Sequence, residues 1–253
     1  MEWYTYIIVI AVGIVAGIIN TLAAGGSMIT LPLLMALGLP PNMANGTNRI
    51  AIFLQNVVGV SSFQREKVMD FPSGFKVGIP AALGAVAGAF IAVNLNDEVM
   101  KLAIAGVMIL VFFLILLKPN RWIHSNETHP PIPYWVQVIV FFLVGIYGGF
   151  IQAGVGFFLI TSLVLGCGYD LVKSNAIKLF VILLYTPVAL LIFFVHKDVN
   201  LWMGLVLAVG NMLGAWLGTK IAVKRGAAFI RWVVLGAILL ASAKLILDAV
   251  KAL

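Results

Sequence analysis

Charge is what this sequence has least of. Only 10% of its 253 residues are Asp, Glu, Lys or Arg, while 62% are hydrophobic and the mean hydropathy is +1.11. A water-soluble domain carries roughly a quarter charged residues because its surface faces water. So few charges cannot coat such a surface, whereas lipid requires none. Cysteine is nearly absent too. The single Cys167 lies in an apolar run and cannot form an internal disulfide, and no CxxC or Cys/His cluster has metal-ligand spacing. Carboxylates are missing where they would matter most. Glu2, Glu66, Asp70, Asp97, Glu98, Glu127, Asp170 and Asp198 fall in or beside polar breaks, and Asp248 falls near the C-terminus. The apolar core therefore lacks the acid that many proton- or sodium-coupled carriers use. With no nucleophile, base or metal cluster inside the apolar runs, a membrane enzyme is disfavoured, and no cofactor is expected.

What is present is long apolar sequence. Val77–Val93, Leu102–Leu117 and Trp135–Ile151 are almost charge-free and approach the ~20 residues of a spanning helix. They do not alternate as barrel strands would. The expected fold class is an all-α integral membrane protein. The net charge of +7 does not point to nucleic acid, because Arg65, Lys67, Lys118, Arg121, Lys224 and Arg225 sit between apolar runs as topology signals. Met1-Glu2-Trp3 lacks the basic region of a cleavable leader, so the first run reads as a retained span.

The chain repeats itself at an offset of about 130 residues. Gly13 and Gly17 match Gly145 and Gly149, Gly38 matches Gly168, and Asn45 matches Asn175. Gly84 and Gly88 match Gly214 and Gly218. Each half holds five apolar segments, at 3–19, 27–38, 45–63, 72–94 and 98–117, then 134–152, 155–167, 174–195, 200–222 and 227–250. The expected organisation is a first transmembrane repeat over 1–117, a cytoplasmic linker over 118–133 and a second repeat over 134–253. An odd number of segments per half inverts the second half in the membrane, an architecture of secondary transporters. With the N-terminus outside, 11 of the 16 basic residues fall on the inner side and 5 on the outer. That bias predicts both termini outside a cytoplasmic membrane.

Segments two and seven are too short to span, and each follows a glycine-rich turn: Asn20 through Gly25, Gly26 and Ser27 in one half, Gln152 through Gly154 and Gly156 in the other. Paired short, glycine-interrupted segments are the best sequence pointer to a transport site. A helix that starts within the bilayer presents unpaired N–H groups to an anion, and glycine lets the ligand approach them. The alternative is tight packing through small residues, which suffices for the GxxxG pairs Gly84/Gly88 and Gly214/Gly218. Segments three and eight open with Asn45-Gly46-Thr47-Asn48-Arg49 and Ser174-Asn175-Ala176-Ile177-Lys178. Arg49 and Lys178, related by the repeat, are expected to clamp one anion from both halves; the competing reading is that they snorkel to an interface.

The Ala24-Gly25-Gly26-Ser27 break with Pro32, followed by Gly38-Leu39-Pro40 and Ala44-Asn45-Gly46-Thr47-Asn48, resembles the first repeat of the sulfite exporter TauE/SafE family. The resemblance covers nearly the whole chain, although Gly154-Val155-Gly156-Phe157-Phe158 is poorer in glycine than that family's second copy. It implies a permease that exports or exchanges sulfite or organosulfonates such as sulfoacetate. A carrier of an uncharged metabolite or a metal cation is the other reading. The expected partners are the lipid bilayer and a small anion, with a homodimer open and nucleic acid excluded.

Overall fold

The computed structural model describes residues 3–22, 25–117 and 131–225. All regular structure in them is helical. In order the helices are α1 (Trp3–Leu22), α2 (Ser27–Ala36), α3 (Pro41–Arg65), α4 (Phe71–Val93), α5 (Asp97–Leu117), α6 (Tyr134–Phe150), α7 (Val155–Thr161, continued by a π-helical turn over Ser162–Gly166), α8 (Leu171–Val195) and α9 (Leu201–Arg225). Four of them, α1, α4, α8 and α9, are long and apolar enough to cross a bilayer. The expected last segment at 227–250 and linker residues 118–130 lie outside the described residues, as do Arg231, Lys244, Lys251, Glu127 and Asp248.

Local chemistry explains where the helices begin. α3 starts at Pro41, four residues before the expected boundary, because proline at the first helical position costs no hydrogen bond. α8 starts at Leu171 rather than 174 because Asp170 accepts hydrogen bonds from the N–H groups of Val172 and Lys173. The caps also recur between the halves. Gly38 and Gly168 both take positive φ, at 91° and 71°. α3 and α8 each end on a lysine in the left-handed region, Lys67 (φ 57°) and Lys197 (φ 61°), with the same hydrogen-bond pattern onto the preceding turn. Asp70 caps α4 through the Ser73 N–H as Asn200 caps α9 through the Met203 N–H. All three pairs keep the offset of about 130 residues.

Two features position the interior. α1 and α2 form a helical hairpin: a side chain at Gly26 would strike the Ala16 carbonyl, and Val9 and Leu34 share one core. α6 and α7 form another. The Tyr147 and Phe158 rings meet at 5.1 Å, the Cys167 thiol donates to Gln137 Oε1 at 3.4 Å, and the Ile132 N–H donates to the Gly166 carbonyl at 2.9 Å. Between the hairpins, α3 and α8 cross antiparallel, with Gly46 against Phe193 and Asp198 and Gly59 against Leu179. Repeat-related helices that run antiparallel fit halves of opposite orientation.

Small residues set the outer contacts. Gly84 and Gly88 of α4 lie on the backbone of Phe142 and Ile146 in α6, and Gly145 and Gly149 lie on Ala81 and Ala85. Gly13 and Gly17 of α1 meet Gly210 and Gly214 of α9 in the same way. Glycine at these crossings is a packing requirement, as the GxxxG spacing predicts.

Candidate site at the two hairpin tips

Each hairpin tip ends a helix inside the protein, leaving carbonyl groups without intrahelical partners. At the α1 tip they are taken up by α8. Lys178 Nζ donates to the carbonyls of Asn20 (2.7 Å) and Thr21 (3.2 Å) and to Asn175 Oδ1 (2.8 Å), and Asn175 Nδ2 reaches the Leu22 carbonyl at 3.5 Å. At the α6 tip α3 does the same. Arg49 donates to the carbonyls of Gly148 (3.1 Å), Gly149 (2.6 Å) and Phe150 (3.5 Å), and Asn45 Nδ2 donates to the Phe150 carbonyl at 2.8 Å. A cation at a helix C-terminus also faces the negative end of the helix dipole. The Arg49 guanidinium further reaches Gln152 Oε1 (3.3 Å) and stacks 4.6 Å from the centre of the Phe193 ring.

This geometry corrects two expectations about the cations. Neither snorkels: both are 0% exposed. Nor do they converge on one small anion. Leu179, next to Lys178, packs on Gly59 of α3, ten residues from Arg49, or roughly 15 Å along that helix. All three Lys178 donors are engaged. They lie two turns inside their helices because the carbonyls they serve lie there.

Between the tips is a small cavity of about 10 Å³, lined by Asn20, Ser27, Gln55, Asn56, Gln152 and Gly156 together with Ile52, Val155, Leu179 and Ile182. That is room for about one water molecule. Four of the expected site residues therefore meet there: Asn20, Ser27, Gln152 and Gly156. Asn20 receives the Gly26 N–H on its Oδ1 (2.8 Å) and donates to Gln55 Oε1 (3.1 Å). Gln152 Nε2 donates to the Tyr185 hydroxyl at 3.1 Å. The Gln55 amide N–H groups and the Ser27 hydroxyl proton have no acceptor among the described residues, and Asn56 Oδ1 has no donor.

The other expected residues do different work. Asn48 ties α3 to α2, accepting from Thr30 (2.7 Å) and donating to Ser27 Oγ (3.3 Å). Thr47 Oγ1 accepts the Asn200 N–H at 2.8 Å, at the start of α9. Gly26 is glycine because Ala16 leaves no space. Gly154 takes φ +73° to turn the chain into α7. A side chain at Gly25 would make only ordinary van der Waals contact, with Ile19 at 3.7 Å. Gln55 and Asn56 escaped the reading of the sequence, although two adjacent amides inside the apolar stretch Ile50–Val60 were a usable signal.

Among the described residues no group of three His, Cys, Asp or Glu side chains could hold a metal ion. The profile of the family described as sulfite exporter TauE/SafE matches residues 9–245. The probable membrane transporter protein YfcA of Escherichia coli (strain K12) is 29% identical over 241 residues, covering 94% of this chain and 88% of that protein. The probable membrane transporter protein ORF9 of Sinorhizobium sp is 28% identical over 220 residues, covering 86% and 83%. The probable membrane transporter protein YunE of Bacillus subtilis (strain 168) is 23% identical, covering 86% and 87%. No solved structure matches the chain.

Proposed function

The chain belongs to the sulfite exporter TauE/SafE family and is a membrane transporter, and from that premise we propose that it carries small sulfur oxyanions, sulfite or organosulfonates such as sulfoacetate, through the cavity between its hairpin tips. The observation that carries the substrate class is electrostatic. Arg49 and Lys178 are buried beside the tips, and every partner they have is a neutral carbonyl, an amide or an aromatic ring. A buried guanidinium with no carboxylate among its partners repels a cation and favours an anion in a low-dielectric interior. Arg49 and Lys178 hold the tips and Arg49 sets the field, while Gln55, Ser27 and Asn20 supply the donors that touch the solute. A sulfonate group offers three acceptor oxygens to that set.

A cavity with room for one water is an occluded state, so loading requires the hairpin tips to part. The two halves are inverted repeats, with both termini outside a cytoplasmic membrane and the 118–133 linker inside. Export of an anion is then electrically downhill by about 2.3 kcal/mol per charge per 100 mV, which needs no coupling acid in the core.

The test is a binding screen of sulfite, sulfoacetate, taurine, sulfate and thiosulfate on the purified protein. The expected outcome is saturable binding of sulfite or sulfoacetate. Binding of a metal cation and none of the sulfur oxyanions or sulfonates would defeat this reading in favour of a carrier of another solute.

A further inference from the structure

The repeat makes one half a control for the other, and at one place the halves differ sharply. A recess of about 610 Å³ opens beside the start of α6, walled by Lys76, Pro131, Tyr134, Gln137, Cys167 and Tyr169. Its counterpart in the first half is filled. Lys76, Cys167 and Tyr169 correspond, about 130 residues away, to Val206, Leu37 and Leu39. Those three pack with Tyr6 into one apolar core, Leu39 buried within it. Among the described residues, the same framework is packed shut by leucine and valine in one half and left open and polar in the other.

The recess also connects to the site. The α7 segment runs from the cavity, which Val155 and Gly156 line, to the recess, which Cys167 lines. The two ends are roughly 16 Å apart at 1.5 Å per residue. What separates them is one apolar stripe, Val155, Leu159, Leu163 and Cys167, packed on Ile177, Val181 and Tyr185. The stripe includes the π-helical turn, a form of helix that recurs at functional sites and that the short helix α2 lacks.

We infer that this recess is the transporter's vestibule, the water-filled entry through which small sulfonate-type anions reach the cavity, with the Leu159–Leu163 stripe as its closed inner gate. The solute class rests on the function proposed above; the vestibule itself rests on the difference between the halves. The wall suits an anion. Among the described residues it carries the Lys76 ammonium and the Gln137 amide and no carboxylate. The nearest acid on α4, Asp70, is occupied by Lys173 (2.8 Å) and by Ser73. The recess lies at the end of the bundle that bears Lys76 and Lys173, the end expected in the cytoplasm, where an exported anion would load.

Cys167 is the chain's one cysteine, so the native protein carries its own probe. The experiment uses purified full-length protein in liposomes, a membrane-impermeant maleimide bearing a bulky group, and uptake of radiolabelled sulfoacetate. Sulfoacetate is preferred because sulfite itself adds to maleimides. The reagent should reach Cys167 from one face of the membrane only. Excess sulfoacetate should slow that reaction, and complete modification should cut uptake by about tenfold or more, as expected when an obligatory path is blocked. Lys76→Gln should raise the KM for sulfoacetate several-fold with kcat retained and thermal stability unchanged, since Lys76 is exposed. Full uptake by completely modified protein, or no reaction from either face, overturns the vestibule. A wild-type protein that carries no sulfonate instead refutes the substrate class. The labelling then still decides the recess: access from one face keeps it as the open path, and access from neither removes it.

Discussion

The two hairpin tips do one job with different chemistry. Lys178 and Asn175 hold the α1 tip, and Arg49 and Asn45 hold the α6 tip. Each pair belongs to the half opposite the tip it holds, so neither half can place its own broken helix without the other. The difference is geometric. A lysine ammonium is a point donor that satisfies two adjacent carbonyls and one amide. A guanidinium is a planar fork that spans three carbonyls and a glutamine and also lies on an aromatic face. The α6 tip is thus held by a group that nothing else can mimic, and the α1 tip by one with partial substitutes.

The sharpest way to break the comparison is to remove each cation. Arg49→Ala should cost on the order of 3 kcal/mol, because it leaves several buried carbonyls without donors. Lys178→Ala should cost somewhat less, about 2 kcal/mol by the same reasoning. Swaps should be unequal too, with Arg49→Lys remaining clearly destabilised because a lysine cannot reach Gly148 and Phe150 together. Thermal unfolding in detergent checks the order. Equal losses at the two positions would mean that fork geometry is irrelevant.

The turns themselves come next. Gly26→Ala should destabilise by about 1–3 kcal/mol, since the added methyl has no space beside the Ala16 carbonyl. Gly154→Ala should cost about 1–2 kcal/mol through its left-handed backbone. Gly25→Ala should be near neutral in stability. It is therefore the clean probe of whether a solute approaches the backbone, read as sulfoacetate affinity.

At the cavity wall the halves differ again. Gln55 pairs with Asn20 as its counterpart Tyr185 pairs with Gln152. Gln55 lines the cavity, and its amide N–H groups have no acceptor among the described residues, whereas Tyr185 is not part of the lining. Gln55→Leu should weaken sulfoacetate binding by roughly tenfold, the worth of about 1.4 kcal/mol, while Tyr185→Phe should leave affinity within about twofold, well under 1 kcal/mol. Titration of the purified variants decides. Loss in both would place the solute against α8 as well.

Much of this frame was legible from residues alone. Low charge pointed to the membrane class, and the recurring GxxxG glycines pointed to the helix crossings, since a glycine at that spacing means the same thing in any helix. Arg49 and Lys178 stood out as a repeat-related pair. Their partners did not, because backbone carbonyls leave no trace in sequence, and a cation that caps a helix reads like one that binds an anion. Gly26 and Gly154 were visible as turn residues, but whether a glycine makes room for a ligand or for a neighbouring carbonyl depends on what packs against it. Gln55 and Asn56 were marked only as adjacent amides in an apolar stretch; what they face is set by the crossing of α3 with the hairpins, which brings them to the cavity.

The smallest difference lies between the two ends of the bundle, where two aspartates are shifted in opposite directions. At one end the hydrogen bond from Lys173, with the Ser73 cap, holds the Asp70 carboxyl down at about 2. At the other, burial raises the Asp198 carboxyl above its ordinary value, and neighbouring Asp97 adds to the rise while His196 opposes it. The signs follow from proton linkage. Asp70 binds its proton less readily folded than unfolded, so its contribution is complete above an unfolded pKa near 4 and is lost as pH falls from about 4 to 2. Asp198 binds its proton more readily folded, so it opposes folding at neutral pH, and that penalty fades as pH falls through its raised value. Of the two aspartates, only Asp198 is shifted toward neutral pH. Asp70→Asn should lower stability at pH 7 by less than about 1 kcal/mol, the usual worth of an exposed pair, without altering the slope between pH 7 and 5. Asp198→Asn should raise stability slightly at pH 7 and flatten that slope. Melting curves of the two variants across pH 7, 6 and 5 separate them, and a slope altered by Asp70→Asn but not by Asp198→Asn would reverse the assignment of the two ends.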